Sequence, residues 1–281
     1  MGNDLDNAEI TFDGVVVPRS ALLSRYSEVD AVTGEYVVKA AGVSPFERIG
    51  QRLYTGRVAV AQAALEYRKE LFARTRRYSD HKKMALLPGQ KDERVLSDMP
   101  QLARLFADNA RRTAEIEAFV GSCERALCEV LRDGGVPPPA LVDAIATAKV
   151  VAVEDSIDFV HRLKQDVGSY ALMADSSFQH TDFLQCCKFA EGDSRILMQK
   201  LARDRFRRFT EEAKKSEGLS SLDSVAHDPE VAACLAVADA MKAHGGAPME
   251  AWDAAWEEVY ALANTVMERT IAENIGGTIY L

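Results

Sequence analysis

Residues 53–79, LYTGRVAVAQAALEYRKELFARTRRYS, repeat apolar side chains at steps of three and four positions. Such spacing is typical of an amphipathic α-helix that buries one face. The apolar stripe starts upstream of this stretch and consists of Phe46, Ile49, Leu53, Val60, Ala64, Tyr67 and Leu71. Ser44 supplies an N-cap and Pro45 a first-turn proline. We therefore predict one long helix that begins at Pro45 and ends near Tyr78.

Helical periodicity continues through the rest of the chain. It predicts further helices at about residues 97–133, 140–167, 194–215, 229–244 and 248–274, with a short irregular or helical piece at 168–188. In the helix at 140–167, apolar residues outside the stripe widen the buried face, so we expect burial on most sides. The fold class is therefore mostly α, a helical bundle.

Two segments ahead of the first helix predict a small amount of β-structure. Residues 8–17 alternate and are rich in β-branched side chains, and Pro18 ends the run. Residues 34–42, GEYVVKAAG, predict a second weak strand or a loop. Two strands do not form a stable sheet alone. We therefore expect them to pair with something that this chain lacks, or to be the remnant of a β-domain.

The composition is that of an ordinary globular protein, with 281 residues, of which 47% are apolar and 27% charged. The formal net charge of −9 argues against nucleic acid or an anionic membrane as the main partner. No apolar run approaches the roughly 20 residues of a membrane-spanning helix. The basic side chains at 195–208 lie among acidic ones, which favours a solvated face with ion pairs over a nucleic-acid surface.

Cysteine, histidine and acidic residues show no spacing typical of a metal site. Five cysteines are present, and the adjacent Cys186 and Cys187 are either free thiols or a redox pair. The acidic residues Glu154, Asp155 and Asp158 lie close together in the third predicted helix. We interpret them as partners of neighbouring basic side chains rather than as metal ligands, so no metal site is predicted.

Arg57 interrupts the apolar stripe of the first helix between Leu53 and Val60. Burying a lone guanidinium is very costly, so this side chain must find a partner or reach solvent. One interpretation places Arg57 at the edge of the stripe, with its charged end in water. The other is a buried arginine that faces a carboxylate or a polar ligand. Gly56 beside it leaves room for the close approach of another group.

The stretch KFAEGDSRIL, residues 188–197, raises a similar question about Glu191. Asp193 or Ser194 predicts the N-cap of the next helix, so Glu191 lies just outside that cap. It is either a solvated turn carboxylate or a carboxylate directed into a cleft. The local residues leave both interpretations open.

Three segments together resemble the acyl-CoA oxidase and acyl-CoA dehydrogenase superfamily. Residues 1–26, MGNDLDNAEITFDGVVVPRSALLSRY, resemble the end of the family's middle β-domain, with its Asp-Asn, Phe-Asp and Pro-Arg elements. Residues 53–79 resemble the helix that follows, with its Gly-Arg-Val and its closing Arg-Tyr-Ser. Residues 189–204, FAEGDSRILMQKLARD, resemble the segment in which the catalytic base is a Glu followed by Gly. The order is collinear, and the oxidase branch fits best.

The resemblance implies α,β-dehydrogenation of a fatty acyl-CoA thioester, with FAD as the cofactor. Glu191 matches the family's base, which removes the α-proton, and Arg57 matches an arginine that lines the active site. In some relatives the base directly precedes that arginine on the first helix, where this chain has Gly56. The resemblance therefore implies one catalytic pair, Glu191 and Arg57.

The same resemblance implies three weaker flavin-binding residues. The family's Arg-Arg-Gln-Phe-Gly region after the first helix reads HKKMAL here, so Lys82 or Lys83 would supply charge to phosphate. The family's glycine-rich turn ahead of the base reads VGSYALM, in which Gly168 remains. Lysine lacks the planar fork of arginine, so its contact with phosphate would be less directional.

The resemblance also implies three parts: 1–43 as the end of the middle β-domain, 44–217 as the helical bundle and 218–281 as a helical C-terminal extension. We expect the chain to be the C-terminal part of an enzyme of fatty acid β-oxidation that forms a homodimer or higher homo-oligomer. An oxidase-like protein is expected in peroxisomes, although the final TIYL is not an SKL-type signal, and otherwise in mitochondria or the cytoplasm. The alternative function is a non-catalytic helical fragment or oligomerisation module that keeps the fold alone.

Overall fold

The computed structural model describes residues 8–39, 45–84, 88–89, 93–215 and 228–274, and these residues contain eight α-helices and a two-stranded sheet. The helices are α1 Pro45–Ser79, α2 Pro100–Arg132, α3 Pro139–Val167, α4 Asp182–Phe189, α5 Ser194–Lys215, α6 Pro229–His244, α7 Pro248–Ala254 and α8 Trp256–Asn274. The predicted cap Ser44 and the side chains of Phe46 and Ile49 lie outside the described part. The prediction of a mostly α helical bundle is confirmed.

The periodicity located most helices correctly. The bounds of α1, α3, α5 and α6 match the predicted ones closely, and α2 begins at Pro100, after a 3-10 turn at Leu96–Asp98. The piece at 168–188 contains two 3-10 turns, Gly168–Leu172 and Phe178–His180, and most of α4. The prediction of one helix at 248–274 is wrong, because the backbone turns at Ala255 between α7 and α8.

The β-structure differs from its prediction. Strand β1, Ser27–Val29, pairs antiparallel with β2, Tyr36–Val38. Of the two alternatives at 34–42, a weak strand or a loop, the structure shows the strand. The strand predicted at 8–17 is wrong, since those residues are irregular. Their large apolar side chains are exposed: Ile10, Phe12, Val15, Val16 and Val17. A strand needs a partner for its backbone groups, and the described chain places none beside this segment.

Helix α3 runs through the centre of the bundle. All of its residues from 144 to 153 are buried, which confirms the predicted burial on most sides. Its first half packs with α1, α2, α5 and α8, and its second half packs with α1, α2 and α4. On α1, Leu53 is 46% exposed, contrary to the predicted stripe, because Tyr54 takes the position against the core.

None of the described helices has the length and hydropathy that crossing a membrane requires.

The acidic group of α3 pairs with basic side chains, as predicted. The pairs are Arg112–Asp155, Lys188–Glu154 and Arg162–Asp158, at nitrogen–oxygen distances of 2.8, 3.1 and 3.5 Å. The first two pairs are partly buried and offset charges that would otherwise be costly there, whereas the Arg162–Asp158 pair is exposed. The thiols of Cys186 and Cys187 are free. Within the described residues, no three His, Cys, Asp or Glu side chains form a cluster that could hold a metal ion.

Glu230 of α6 is nearly buried and joins two other helices. Its carboxylate accepts hydrogen bonds from Nε of Arg205 in α5 at 2.6 Å and from Nε of Arg269 in α8 at 2.5 Å. We expect Glu230→Gln to lower the free energy of unfolding by about 2 kcal/mol, because two guanidinium groups then face a neutral amide. Urea unfolding measures this change.

A matched control is Glu273→Gln. Glu273 is exposed and pairs with the same Arg269 at 2.6 Å. Since solvent screens this pair, we expect a change of less than about 0.5 kcal/mol in the free energy of unfolding. Equal losses in the Glu230 and Glu273 variants would contradict the prediction.

Candidate functional site

Glu191 lies in a short loop that joins α4 to α5. Its φ angle is 57° and that of the next residue, Gly192, is 106°, so two consecutive residues have left-handed backbone conformations. Glycine adopts this region freely, but a glutamate there costs about 1–3 kcal/mol. Such a conformation persists where the surrounding contacts enforce it, and it is frequent at functional sites.

The Glu191 side chain lies directly over Gly56 of α1. A Cβ atom at position 56 would come within 2.3 Å of the Glu191 Cδ atom and 2.6 Å of its Oε2 atom. These distances are shorter than any tolerated contact, so the carboxylate occupies space that every other residue at position 56 would fill. The half-buried Glu191 is therefore directed onto a helix surface rather than into open solvent.

Arg57 approaches the same loop from α1. Its Nε donates to the backbone carbonyl oxygen of Glu191 at 2.9 Å, and its guanidinium carbon lies 5.5 Å from the centre of the Tyr54 ring. Burial lowers the pKa of Arg57, while the neighbouring Tyr54 and Glu191 raise it. The structure thus brings Glu191 and Arg57 together, with the guanidinium bound to the backbone beside the carboxylate.

Lys149 of α3 is a third charged residue at this loop, and the sequence reasoning missed it. The side chain is fully buried, and its Nζ donates to the carbonyl oxygens of Lys188 at 2.6 Å and Gly192 at 2.8 Å. Burial lowers its pKa to about 8, against the opposing effect of nearby acidic groups. The signal that could have found it is a lone lysine inside the apolar run at 144–153.

The predicted flavin-binding residues lie at the other end of α1. The backbone N–H of Lys82 donates to the carbonyl of Tyr78 at 3.0 Å, and the Tyr78 ring stacks on Tyr170 with ring centroids 3.8 Å apart. Tyr170 belongs to the 3-10 turn that begins at Gly168. Both Lys82 and Lys83 are exposed at this end of the bundle.

The structure does not bring the two groups of predicted site residues together. Arg57 and Ser79, at the end of α1, lie roughly 33 Å apart along the axis at about 1.5 Å per residue. At the far end, Lys83 pairs with Glu93, and Gly168 (φ 67°) ends α3 with open space beside its Cα atom. The described residues therefore offer surface charge to a phosphate group but no enclosing cradle.

No protein-family model matches this sequence, and the search of curated proteins finds no relative. Solved structures do match. Acyl-CoA oxidase 1 of Arabidopsis thaliana superposes with a TM-score of 0.69 at 16% identity, over 93% of this chain and 45% of its own. Acyl-CoA oxidase-2 of Caenorhabditis elegans, bound with FAD, ascaroside-CoA and ATP, gives a TM-score of 0.71 at 15% identity, over 93% of this chain and 43% of its own.

An acyl-CoA oxidase of Lycopersicon esculentum (tomato) matches at a TM-score of 0.70 and 15% identity, over 96% of this chain and 46% of its own. At such low identity the likeness concerns the fold. The resemblance stated from the sequence motifs and the structural comparison agree on the same group of proteins. The chain has the helical-domain fold of the acyl-CoA oxidases and spans less than half of the length of each of these relatives.

Proposed function

We propose that this chain is the C-terminal part of a flavin-dependent acyl-CoA oxidase-type enzyme, with Glu191 as its base. The observation that carries the proposal is the left-handed loop that seats the Glu191 carboxylate on Gly56 while Arg57 holds its backbone. An ordinary turn carboxylate needs neither a strained backbone nor a glycine beneath it. The fold shared with acyl-CoA oxidases supports the same assignment.

The proposed step is removal of a proton from the carbon next to the thioester carbonyl. The C–H bond breaks, the proton goes to a Glu191 carboxylate oxygen, and the electron pair forms the α,β double bond as a hydride leaves the β-carbon. A bound flavin would supply the acceptor for that hydride. Arg57 keeps the base in place through the Glu191 carbonyl, since a base acts only when held within hydrogen-bond reach of its proton.

FAD is the proposed cofactor, and this chain supplies part of the residues that would bind it. Lys82 places an exposed ammonium where a phosphate could bind, whereas Lys83 already pairs with Glu93. We propose that residues beyond this chain, from a longer parent or from another copy in a homo-oligomer, complete the cofactor site. A fatty acyl-CoA is the proposed substrate, in keeping with the ascaroside-CoA in the Caenorhabditis elegans structure.

The protein, purified as its gene expresses it, is expected to carry flavin. Addition of a saturated acyl-CoA in the absence of oxygen is expected to reduce that flavin and bleach its visible absorbance. The protein is also expected to exchange the α-protons of that acyl-CoA with deuterated water, a readout of the base that needs no hydride acceptor. Protein without flavin and without α-proton exchange would overturn the proposal. That result would favour the alternative, a non-catalytic helical module.

A further inference from the structure

We propose that Lys149 is a positioning residue that holds the loop around Glu191 in its left-handed conformation and so places the carboxylate over Gly56. This inference rests on the proposed function of Glu191, and it adds a residue that the dehydrogenation chemistry itself does not use. The lysine lies on α3, in the centre of the bundle, so it acts from beneath the loop.

The contacts of Lys149 span the whole loop. Its ammonium carries three protons and has three acceptors: the carbonyl of Lys188 at 2.6 Å, the carbonyl of Gly192 at 2.8 Å and the hydroxyl of Ser194 at 3.3 Å. Lys188 belongs to the last turn of α4, and Ser194 is the first residue of α5. One buried side chain therefore fixes the end of one helix, the start of the next and the middle of the loop between them.

The positions of these acceptors favour a cation. The last turn of α4 presents carbonyl oxygens and the negative end of the helix dipole, which a positive charge stabilises. Arg57 meets the carbonyl of Glu191 from the opposite helix, α1. The carbonyls of residues 188, 191 and 192 thus all accept hydrogen bonds from cationic side chains, and a buried carbonyl without a donor would be costly.

The charges around Lys149 are compatible with this role. Asp193 and Glu154 favour its charged form and Arg57 opposes it, while the neighbouring Cys187 thiol is buried. Two of the three acceptors of the lysine are main-chain oxygens and neither carboxylate is among them, so its contacts constrain the backbone. Because the Glu191 backbone conformation is unfavourable without support, loss of these contacts is expected to let the loop relax.

The test is Lys149→Met, which keeps the length of the side chain and removes its donors. Amide hydrogen exchange in residues 190–197 is expected to rise about tenfold relative to the unchanged protein, since local opening sets that rate. In the turnover assay kcat is expected to fall about tenfold while KM stays within about twofold, because misplacement of a base affects the chemical step.

Lys200→Met is the matched control. Lys200 is a partly buried lysine of α5 that pairs with Asp143 at 2.7 Å and Asp204 at 2.9 Å, away from the loop. It is expected to leave exchange at 190–197 and kcat unchanged. A folded Lys149→Met protein with unchanged exchange would overturn the inference, and so would faster exchange with an unchanged kcat.

Two further outcomes are decided separately. If the unchanged protein has no acyl-CoA turnover or α-proton exchange, the proposed function fails, and the exchange data alone decide whether Lys149 holds the loop. If Lys149→Met does not fold, Ser194→Ala tests the inference instead. The hydroxyl that it removes accepts a hydrogen bond from the Lys149 ammonium at 3.3 Å and donates one to the Lys188 carbonyl at 3.4 Å. Unchanged exchange at 190–197 in that variant would overturn the inference.

Discussion

Glu191→Gln is expected to lower turnover of acyl-CoA about 10³-fold, within the range that general bases contribute. The amide of glutamine has the size of the carboxylate but cannot accept the α-proton. The loop should keep its conformation, because Arg57 and Lys149 bind main-chain carbonyls that the substitution does not alter. We therefore expect kcat to fall with little change in KM and no change in the melting temperature.

The control for this prediction is Asp193→Asn in the same loop. It removes a carboxylate charge two positions away and leaves an oxygen that can still accept the hydrogen bond from the Arg195 N–H, now 2.7 Å in length. It is expected to retain most of the activity, since Asp193 caps α5 rather than facing Gly56. Equal losses in both variants would indicate an effect of loop charge, and an active Glu191→Gln protein would remove Glu191 from the chemistry.

The helices of this protein were predictable because their signal is local. Apolar residues at every third or fourth position line one face of an α-helix, and the observed bounds of α1, α3, α5 and α6 agree closely with those predicted from this spacing. The turn at Ala255 was missed because no glycine or proline marks it. The false strand at 8–17 has the opposite cause, since its alternating pattern is genuine but a strand exists only with a neighbour to pair with.

The candidate site was predictable in its residues but not in its geometry. Glu191 came from a motif, Arg57 from its interruption of the apolar stripe and then from a motif, and Gly56 from its position beside the arginine. The sequence carried no indication that Glu191 adopts a left-handed backbone or that Arg57 binds its carbonyl. Lys149 lies far from the loop in sequence, so only tertiary structure shows that it reaches the loop, although its place in an apolar run was a warning.

Burial of the apolar residues at 8–39 also could not be predicted from the sequence, because the structure leaves many of them exposed. Phe12, Val16 and Leu23 are largely exposed, although burial of a side chain of this kind contributes about 1.5–3 kcal/mol. The structure covers the helical part of a fold whose relatives are more than twice as long. The alternating apolar pattern at 8–17 therefore forms no strand within the described residues.

Gly56→Ala is expected to reduce turnover about 10²-fold without destabilising the protein. The added methyl group would lie 2.3 Å from the Glu191 Cδ atom, so the carboxylate must swing away from α1. Glu191 is the flexible end of a side chain, and its displacement is easier than a shift of either backbone. A displacement of about 1 Å at a reacting group can lower the rate by that factor.

The Gly56→Ala variant is expected to lose activity but to gain stability. Alanine is favoured over glycine inside a helix by up to about 1 kcal/mol, and Gly56 lies within α1. Gly50→Ala provides the matched control, because it lies on the same helix and a Cβ there would meet no atom within 4 Å. Both variants are expected to melt at or above the temperature of the unchanged protein, and Gly50→Ala alone should remain active.

This pair of variants separates geometry from stability at the site. Helix propensity and charge change equally in both variants, whereas only the methyl group at residue 56 meets Glu191, so a difference in activity must arise from that contact. Activity measured as α-proton exchange reports the base, and flavin bleaching reports the complete reaction. A fully active Gly56→Ala protein would show that the Glu191 carboxylate does not act from its position over α1. The contact between Glu191 and Gly56 would then have no role in catalysis.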